Sequence, residues 1–329
     1  MRRLAAAASV LALSGCSGTQ SALNPAGPQA AAIAWVTWWF FGICLVAYAL
    51  TMAALVVALV RRRRPEDDGP DTSRRLSRVI IAAVTVTTAT LVVLVVFSVS
   101  AGRGLTAPSG PGAITIDVIG HQWWWEFQYH DLSASERVNA PNELHLPVGV
   151  PVVLRATSRD VIHSFWVPNL HGKRDLFPGF VTHTWIQADR PGVYRGQCAE
   201  FCGHQHAHMA FEVVVEPMDA FLRWLQHQRR GAPQPSTETA RRGHDRFMNS
   251  ACVMCHTIRG TTAGSRVGPD LTHLASRRML AAGTLPMTRA DLARWLENSQ
   301  AFKPGNRMPP HLVPRDQLGD LVAYLETLE

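Results

Sequence analysis

Apolar residues fall along the 329-residue chain in three different rhythms, and each predicts its own kind of element. Two unbroken runs, Ile33 to Val60 and Val79 to Ser100, exceed the roughly 20 residues that cross a bilayer as a helix. From Ala113 to about Pro217 the runs become short and are broken by Pro and Gly. Ala113–Ile119, Glu143–Leu146, Pro151–Ala156, Val181–Gln187 and Glu212–Glu216 are examples, and their spacing predicts an all-β sandwich or barrel. Helical text then resumes over Met218–Arg230. The last segment, Arg315–Leu328, carries Leu318, Leu321, Val322, Leu325 and Leu328 at helical spacing. Between these two helices the Pro-rich stretch 231–238 reads as a semi-rigid linker.

Charge sharpens the reading of the first third. The formal charge is +7, yet seven arginines lie between Arg61 and Arg78, against four acids, wedged between the two apolar runs. A cationic loop in that position marks the cytoplasmic flank of a membrane hairpin and excludes a nucleic-acid surface as the default. Trp35, Trp38 and Trp39 sit near the other end of the first run, where interfacial aromatics belong. Everything after Ser100 is therefore expected outside. The N-terminus agrees: Arg2-Arg3, an apolar run to Leu13 and a small-residue end describe a secretory signal over residues 1–16. Leu13-Ser14-Gly15-Cys16 resembles a bacterial lipoprotein cleavage box, which implies a lipidated Cys16; an ordinary signal with a chance cysteine is the alternative.

Chemistry concentrates in Cys198–Met209, which reads C-A-E-F-C-G-H-Q-H-A-H-M. Cys198, Cys202, His206 and Met209 follow one another at spacings of four, four and three. Thiolate, imidazole and thioether favour copper or zinc over magnesium or calcium, and the thioether favours copper. A mononuclear blue-copper site uses one thiolate; two thiolates point to two copper ions bridged by both sulfurs. Such a centre needs a second histidine. His163, ahead of a strand-like segment, is the best placed, with His171, His183, His204 and His208 competing. About fifty residues on, Cys252-Val-Met-Cys255-His256 matches the c-type haem attachment signature. These four cysteines and Cys16 are thus accounted for, Cys44 reads as helix packing, and no structural disulfide is expected.

Several motifs together are specific. Gly120-His-Gln-Trp-Trp-Trp, Asp160-Val-Ile-His163-Ser-Phe, Phe177-Pro-Gly, Arg190-Pro-Gly-Val-Tyr and the Cys198–Met209 loop resemble subunit II of the haem–copper cytochrome c oxidases, over residues 30 to 217. The resemblance implies a binuclear CuA centre held by His163, Cys198, Cys202, His206, Met209 and the backbone carbonyl of Glu200. It also implies a Glu200 side chain turned towards a magnesium ion shared with the catalytic subunit, and Trp123 as the electron-entry residue. Alternation along a probable strand puts Trp123 and Trp125 on one face and Trp124 on the other.

The whole chain resembles those subunits II that carry a fused class I cytochrome c. Gly268-Pro-Asp-Leu271 is similar to the haem-packing loop of such cytochromes. For the sixth iron ligand the candidates are Met279, Met287, Met308 and His273. Met279 falls in a probable helix and Met287 precedes the capping box Thr288–Asp291. Met308, in a Pro-rich loop between two helices, is the choice, with His273 second. The expected architecture is a two-helix transmembrane hairpin (30–101), an all-β cupredoxin-like sandwich (113–217), a helix and linker (218–238) and an all-α class I cytochrome c domain (239–329). The implied function is electron entry into a terminal oxidase of the bacterial plasma membrane, its N-terminus and both cofactor domains periplasmic. An external donor, such as a cytochrome c or a quinol-oxidising complex, would feed haem c, then CuA, then the haem–copper subunit I that reduces oxygen. A CuA-containing nitric oxide reductase, a copper-delivery protein and a free-standing membrane-tethered carrier are the alternatives.

Overall fold

The structure is a computed structural model that describes residues 18–61, 70–103, 114–130 and 137–329. Cys16, the rest of the expected signal and Arg62–Arg64 lie outside the described residues. Two compact units are present, one of residues 31–106 and one containing the remainder. The first holds two long helices, α1 (Pro28–Val60) and α2 (Pro70–Arg103). Each contains a span apolar and long enough to cross a membrane. Their leucines, valines and isoleucines stand exposed along almost the whole length. An apolar surface of that extent on a helix is what a bilayer covers, since all its backbone groups are already paired. The ring of Trp35 meets Phe97 at 4.5 Å, so the helices lie side by side.

The second unit begins with a β-sandwich. Its strands are β1 (Ile114–His121), β2 (Trp124–Tyr129), β3 (Val138–Pro141), β4 (Glu143–Pro147), β5 (Val152–Ser158), β6 (His163–Trp166), β7 (Arg174–Leu176), β8 (Thr182–Ile186), β9 (Gly192–Cys198) and β10 (Ala210–Glu216). One sheet runs β3-β2-β1-β5-β8 and the other β4-β10-β9-β6-β7. Pairing is antiparallel except for β1 with β5 and β10 with β4. The two-residue period is visible in β5, where Val152, Leu154 and Ala156 are buried and the residues between them are less so. Trp125, Phe127, Phe165 and Phe211 interlock between the sheets, with Trp125 edge-on to Phe165 and Phe211. The architecture is the expected cupredoxin-like sandwich, and the loop that contains Cys202 and His206 connects β9 to β10.

Helix α3 (Met218–Gln228) lays Phe221 and Trp224 against Tyr129 of the sandwich. The all-α region follows, with α4 (Glu238–Met248), α5 (Arg289–Glu297) and α6 (Arg315–Leu325) around Phe247, Leu292, Leu321, Tyr324 and Leu325. As expected, α6 packs on α4; it ends three residues before Leu328, which is fully buried beyond the helix. Thr288 caps α5, accepting a hydrogen bond from the Asp291 amide at 3.1 Å.

Two local expectations are corrected. Trp123 lies in the turn between β1 and β2, so it does not share a strand face with Trp125. The turn is pinned from outside the hairpin: the Gln122 amide donates to Asp160 at 2.7 Å and the Trp123 indole to the Cys202 carbonyl at 2.8 Å. Met279 is in a two-residue strand paired with Leu285-Pro286, not in a helix. Ala281, Ala282 and Gly283 follow in the left-handed region at φ 53°, 57° and 75°, which no α-helix accommodates. The carbonyls of Ala281 and Ala282 are engaged instead by Lys303 and by the Ala210 amide of the sandwich.

Candidate metal and haem centres

The end of β9, the start of β6 and the loop before β10 bring all six predicted copper ligands into one place. The sulfurs of Cys198 and Cys202 are 3.8 Å apart, both buried. His163 Nδ1 stands 3.9 Å from the first, and His206 Nδ1 3.6 Å from the second. Met209 Sδ is 3.8 Å from Cys202 Sγ, and the Glu200 carbonyl oxygen 3.3 Å from Cys198 Sγ. Among the described residues, His163, Cys198 and Cys202 are also the one group of candidate metal-binding side chains with ligand atoms within 4.8 Å of one another. The competitors do not converge on the sulfurs. His171 turns Nδ1 to the Gly172 carbonyl, and His208 pairs with Gln205.

Electrostatics fit a soft cation at this place. The hydrogen bond with Cys202, with help from His163 and the Ser164 and Glu200 backbone, holds the Cys198 thiol far below its usual range. The Cys198 charge in turn pushes Cys202 up, so the metal-free pair keeps one proton between two sulfurs. A bound metal would displace that proton. His163 donates Nε2–H to Asp160 at 2.8 Å, which fixes its tautomer and leaves Nδ1 facing sulfur. Burial opposes the charge on Asp160, but this bond and the amides of Gln122 and Val161 outweigh it and keep the carboxyl below the usual range. Sequence reasoning quoted Asp160 without giving it this orienting part. The Glu200 carboxylate is exposed and lies 3.4 Å from Lys173.

The haem signature is equally well formed. The cavity that contains Cys252, Cys255, His256 and Met308 is lined mainly by apolar side chains, among them Leu271, Leu292 and Trp295. His256 Nδ1 donates to the Pro269 carbonyl at 2.8 Å, leaving Nε2 as the nitrogen for iron. Burial lowers its pKa, which keeps the imidazole neutral and able to coordinate. The Gly268 amide bonds the Cys255 carbonyl at 2.7 Å, and a methyl on Gly268 would lie 2.8 Å from His256 Cε1. The Met308 carbonyl is held by Ser299 and Gln300 at 2.7 Å and 2.9 Å. Met279 lines the same cavity. His273 does not: it is buried elsewhere, between the carbonyls of Glu329 and Arg230 at 2.8 Å and 3.1 Å.

Gln122, Trp123 and Trp124 of the sandwich also line this cavity. Comparison with known proteins follows the same division. The family "Cytochrome C oxidase subunit II, periplasmic domain" matches residues 132–217, and "Cytochrome c" matches residues 240–329. Cytochrome c oxidase subunit 2 of Alkalihalophilus pseudofirmus is 31% identical over 335 residues, covering 97% of this chain and 94% of that one. The chain belongs to the cytochrome c oxidase subunit II family. It is thus a subunit of an oxidoreductase complex, a membrane protein with a periplasmic domain, and its two domains imply copper and haem. The Bacillus sp. (strain PS3) subunit 2 is 30% identical over 228 residues, covering 66% of this chain and 62% of its own length. The solved periplasmic domain of subunit II (CoxB) of Bradyrhizobium japonicum is 29% identical and matches 38% of this chain and 97% of that one, with a TM-score of 0.35.

Proposed function

We propose that this chain is the electron-entry subunit of a terminal oxidase, taking electrons from an external donor and delivering them to a haem–copper subunit that reduces oxygen to water. When bound, covalent haem c and a two-copper CuA centre supply one-electron carriers in a single chain. One observation carries this reading: a single, mainly apolar cavity is lined by Cys252, Cys255, His256 and Met308 and by Trp123 of the sandwich. The indole of Trp123 in turn donates to the Cys202 carbonyl.

The residues divide the work. Cys252 and Cys255 would form the thioether links to a haem, and His256 and Met308 would ligate its iron. His163, Cys198, Cys202, His206, Met209 and the Glu200 carbonyl would hold the copper pair, with Asp160 fixing His163. His163, Cys198, Cys202 and Met209 are buried, which excludes water from their side of the site. The Glu200 carboxylate, pointing away from the sulfurs, is the candidate magnesium ligand. The membrane arrangement belongs to the same reading: two crossings, the Arg-rich loop cytoplasmic, the N-terminus and both cofactor domains periplasmic, and Cys16 lipidated.

Cys202→Ser in the loaded full chain is the test. Loss of the copper–thiolate bands with an unchanged low-spin c-type spectrum is the expected result; copper bands that survive overturn the binuclear assignment. For the complex, oxygen uptake without consumption of nitric oxide supports the oxidase. The reverse assigns the chain to a nitric oxide reductase.

A further inference from the structure

Of the 32 basic residues in this chain only two are lysines, Lys173 and Lys303. Lys303 is 3% exposed, which is rare for an ammonium group unless it is paired. Its bonds are to backbone carbonyls: Nζ donates to Trp123 O at 2.8 Å and to Ala281 O at 3.2 Å. The first of these crosses from the cytochrome region to the turn of the sandwich that carries Trp123. Burial pushes the Lys303 pKa down to about 7. A group this costly to bury is explained by what it holds.

Three further contacts surround the same point. The next residue, Pro304, gives its carbonyl to Gln205 Nε2 at 2.6 Å. The Ala210 amide donates to Ala282 O at 3.0 Å, and Arg307 reaches Gln122 Oε1 at 3.4 Å. Gln205 and Ala210 flank His206 and Met209, while Arg307 precedes Met308. The contact therefore joins the loop that presents the axial methionine to the loop that presents the copper ligands. The exposed ion pairs at the margin, Arg278–Glu212 and Arg266–Glu126, are each more than half exposed on the arginine side and add little by comparison.

We propose that Lys303 is a positioning residue that locks the methionine loop of the cytochrome domain onto the backbone of Trp123 and so sets the separation of the two redox centres. This rests on the electron-entry reading above. A methylene stem topped by three donors suits the role: the stem fills apolar space while the head bridges carbonyls from two domains. An arginine, the basic residue used almost everywhere else here, carries a planar fork that two carbonyls from different directions do not match.

The test uses the loaded oxidase complex and Lys303→Met, which keeps length and apolar bulk. Both optical signatures and the midpoint potentials should persist, while electron equilibration between haem and copper slows roughly tenfold or more, as expected when a fixed geometry is loosened. An unchanged equilibration rate overturns the proposal. A second measurement needs no variant. On acetylation of the unsubstituted complex, read by mass spectrometry, Lys303 should react at least about tenfold more slowly than Lys173, because reaction requires local opening. Equal reactivity of the two lysines also overturns it. Failure of either centre to load would instead sink the electron-entry reading, so the two outcomes are distinct.

Discussion

Two histidines that face the centres are each backed by a glycine that admits no side chain. A methyl on Gly268 would stand 2.8 Å from His256 Cε1, and one on Gly120 would stand 2.7 Å from His163 Cδ2. Neither imidazole can retreat freely, because each is hydrogen-bonded at one ring nitrogen, to Pro269 and to Asp160. Gly268→Ala should therefore disturb the axial histidine, lowering haem c content or shifting its spectrum, with the copper bands intact. Gly120→Ala should do the converse, and a paired optical titration of the two variants checks both. The proposed ligand residues were legible in the sequence because four of the candidate copper-binding side chains lie within twelve residues and the haem attachment signature within five. The role of Lys303 was not, since Trp123 lies 180 residues away; that of Asp160, three residues from His163, depends on the direction of one ring nitrogen, which sequence does not carry.

At the scale of elements, helix α3 is tied to the sandwich through one buried imidazole. His145, on β4, stacks on Trp224 at 3.9 Å and places Nδ1 2.9 Å from Glu216 and Nε2 3.8 Å from Glu143. Burial alone would lower its pKa, but the bonds to Glu143 and Glu216 outweigh it and hold the value above the ordinary 6.5. A raised folded-state value stabilises the fold fully below the unfolded value, and that contribution is lost as pH rises through the folded one. Thermal stability of the periplasmic part should thus decline as pH climbs above about 6.5, and His145→Gln should remove that slope. A slope that survives the substitution would assign it to other groups. Element identity was mostly readable: the strands, the capped α5 and the pairing of α6 with α4 follow from period and capping. The exceptions, Trp123 and Met279, are places where bonds from residues distant in sequence override local preference, and no window of sequence contains that information.

For the molecule as a whole, fusing the cytochrome behind the copper domain keeps the two partners at a local concentration on the order of millimolar, whatever the affinity of the contact. A tether of this kind makes encounter certain but leaves orientation free. Orientation is supplied by contacts distant in sequence, which is why the domain order could be read from the chain and the docking face could not. The exposed Arg278–Glu212 and Arg266–Glu126 pairs are subject to salt, whereas the buried Lys303 and Gln205 bonds are shielded from it.

The same contact has a bearing on how the protein matures. Gln205 and Ala210, on either side of the copper ligands His206 and Met209, are already engaged by backbone of the cytochrome domain. The thiols of Cys198 and Cys202, packed in the core of the sandwich close by, are 2% and 3% exposed. A metal donor approaching the finished molecule meets a closed door, so copper insertion should come before docking of the haem-bearing domain. Apoprotein with haem already attached should accordingly take up copper slowly, and Lys303→Met should accelerate uptake by roughly tenfold, as stopped-flow absorbance at the thiolate bands would record. Biogenesis, on this view, has a fixed calendar written into the fold: the metal first, the closing of the domains second.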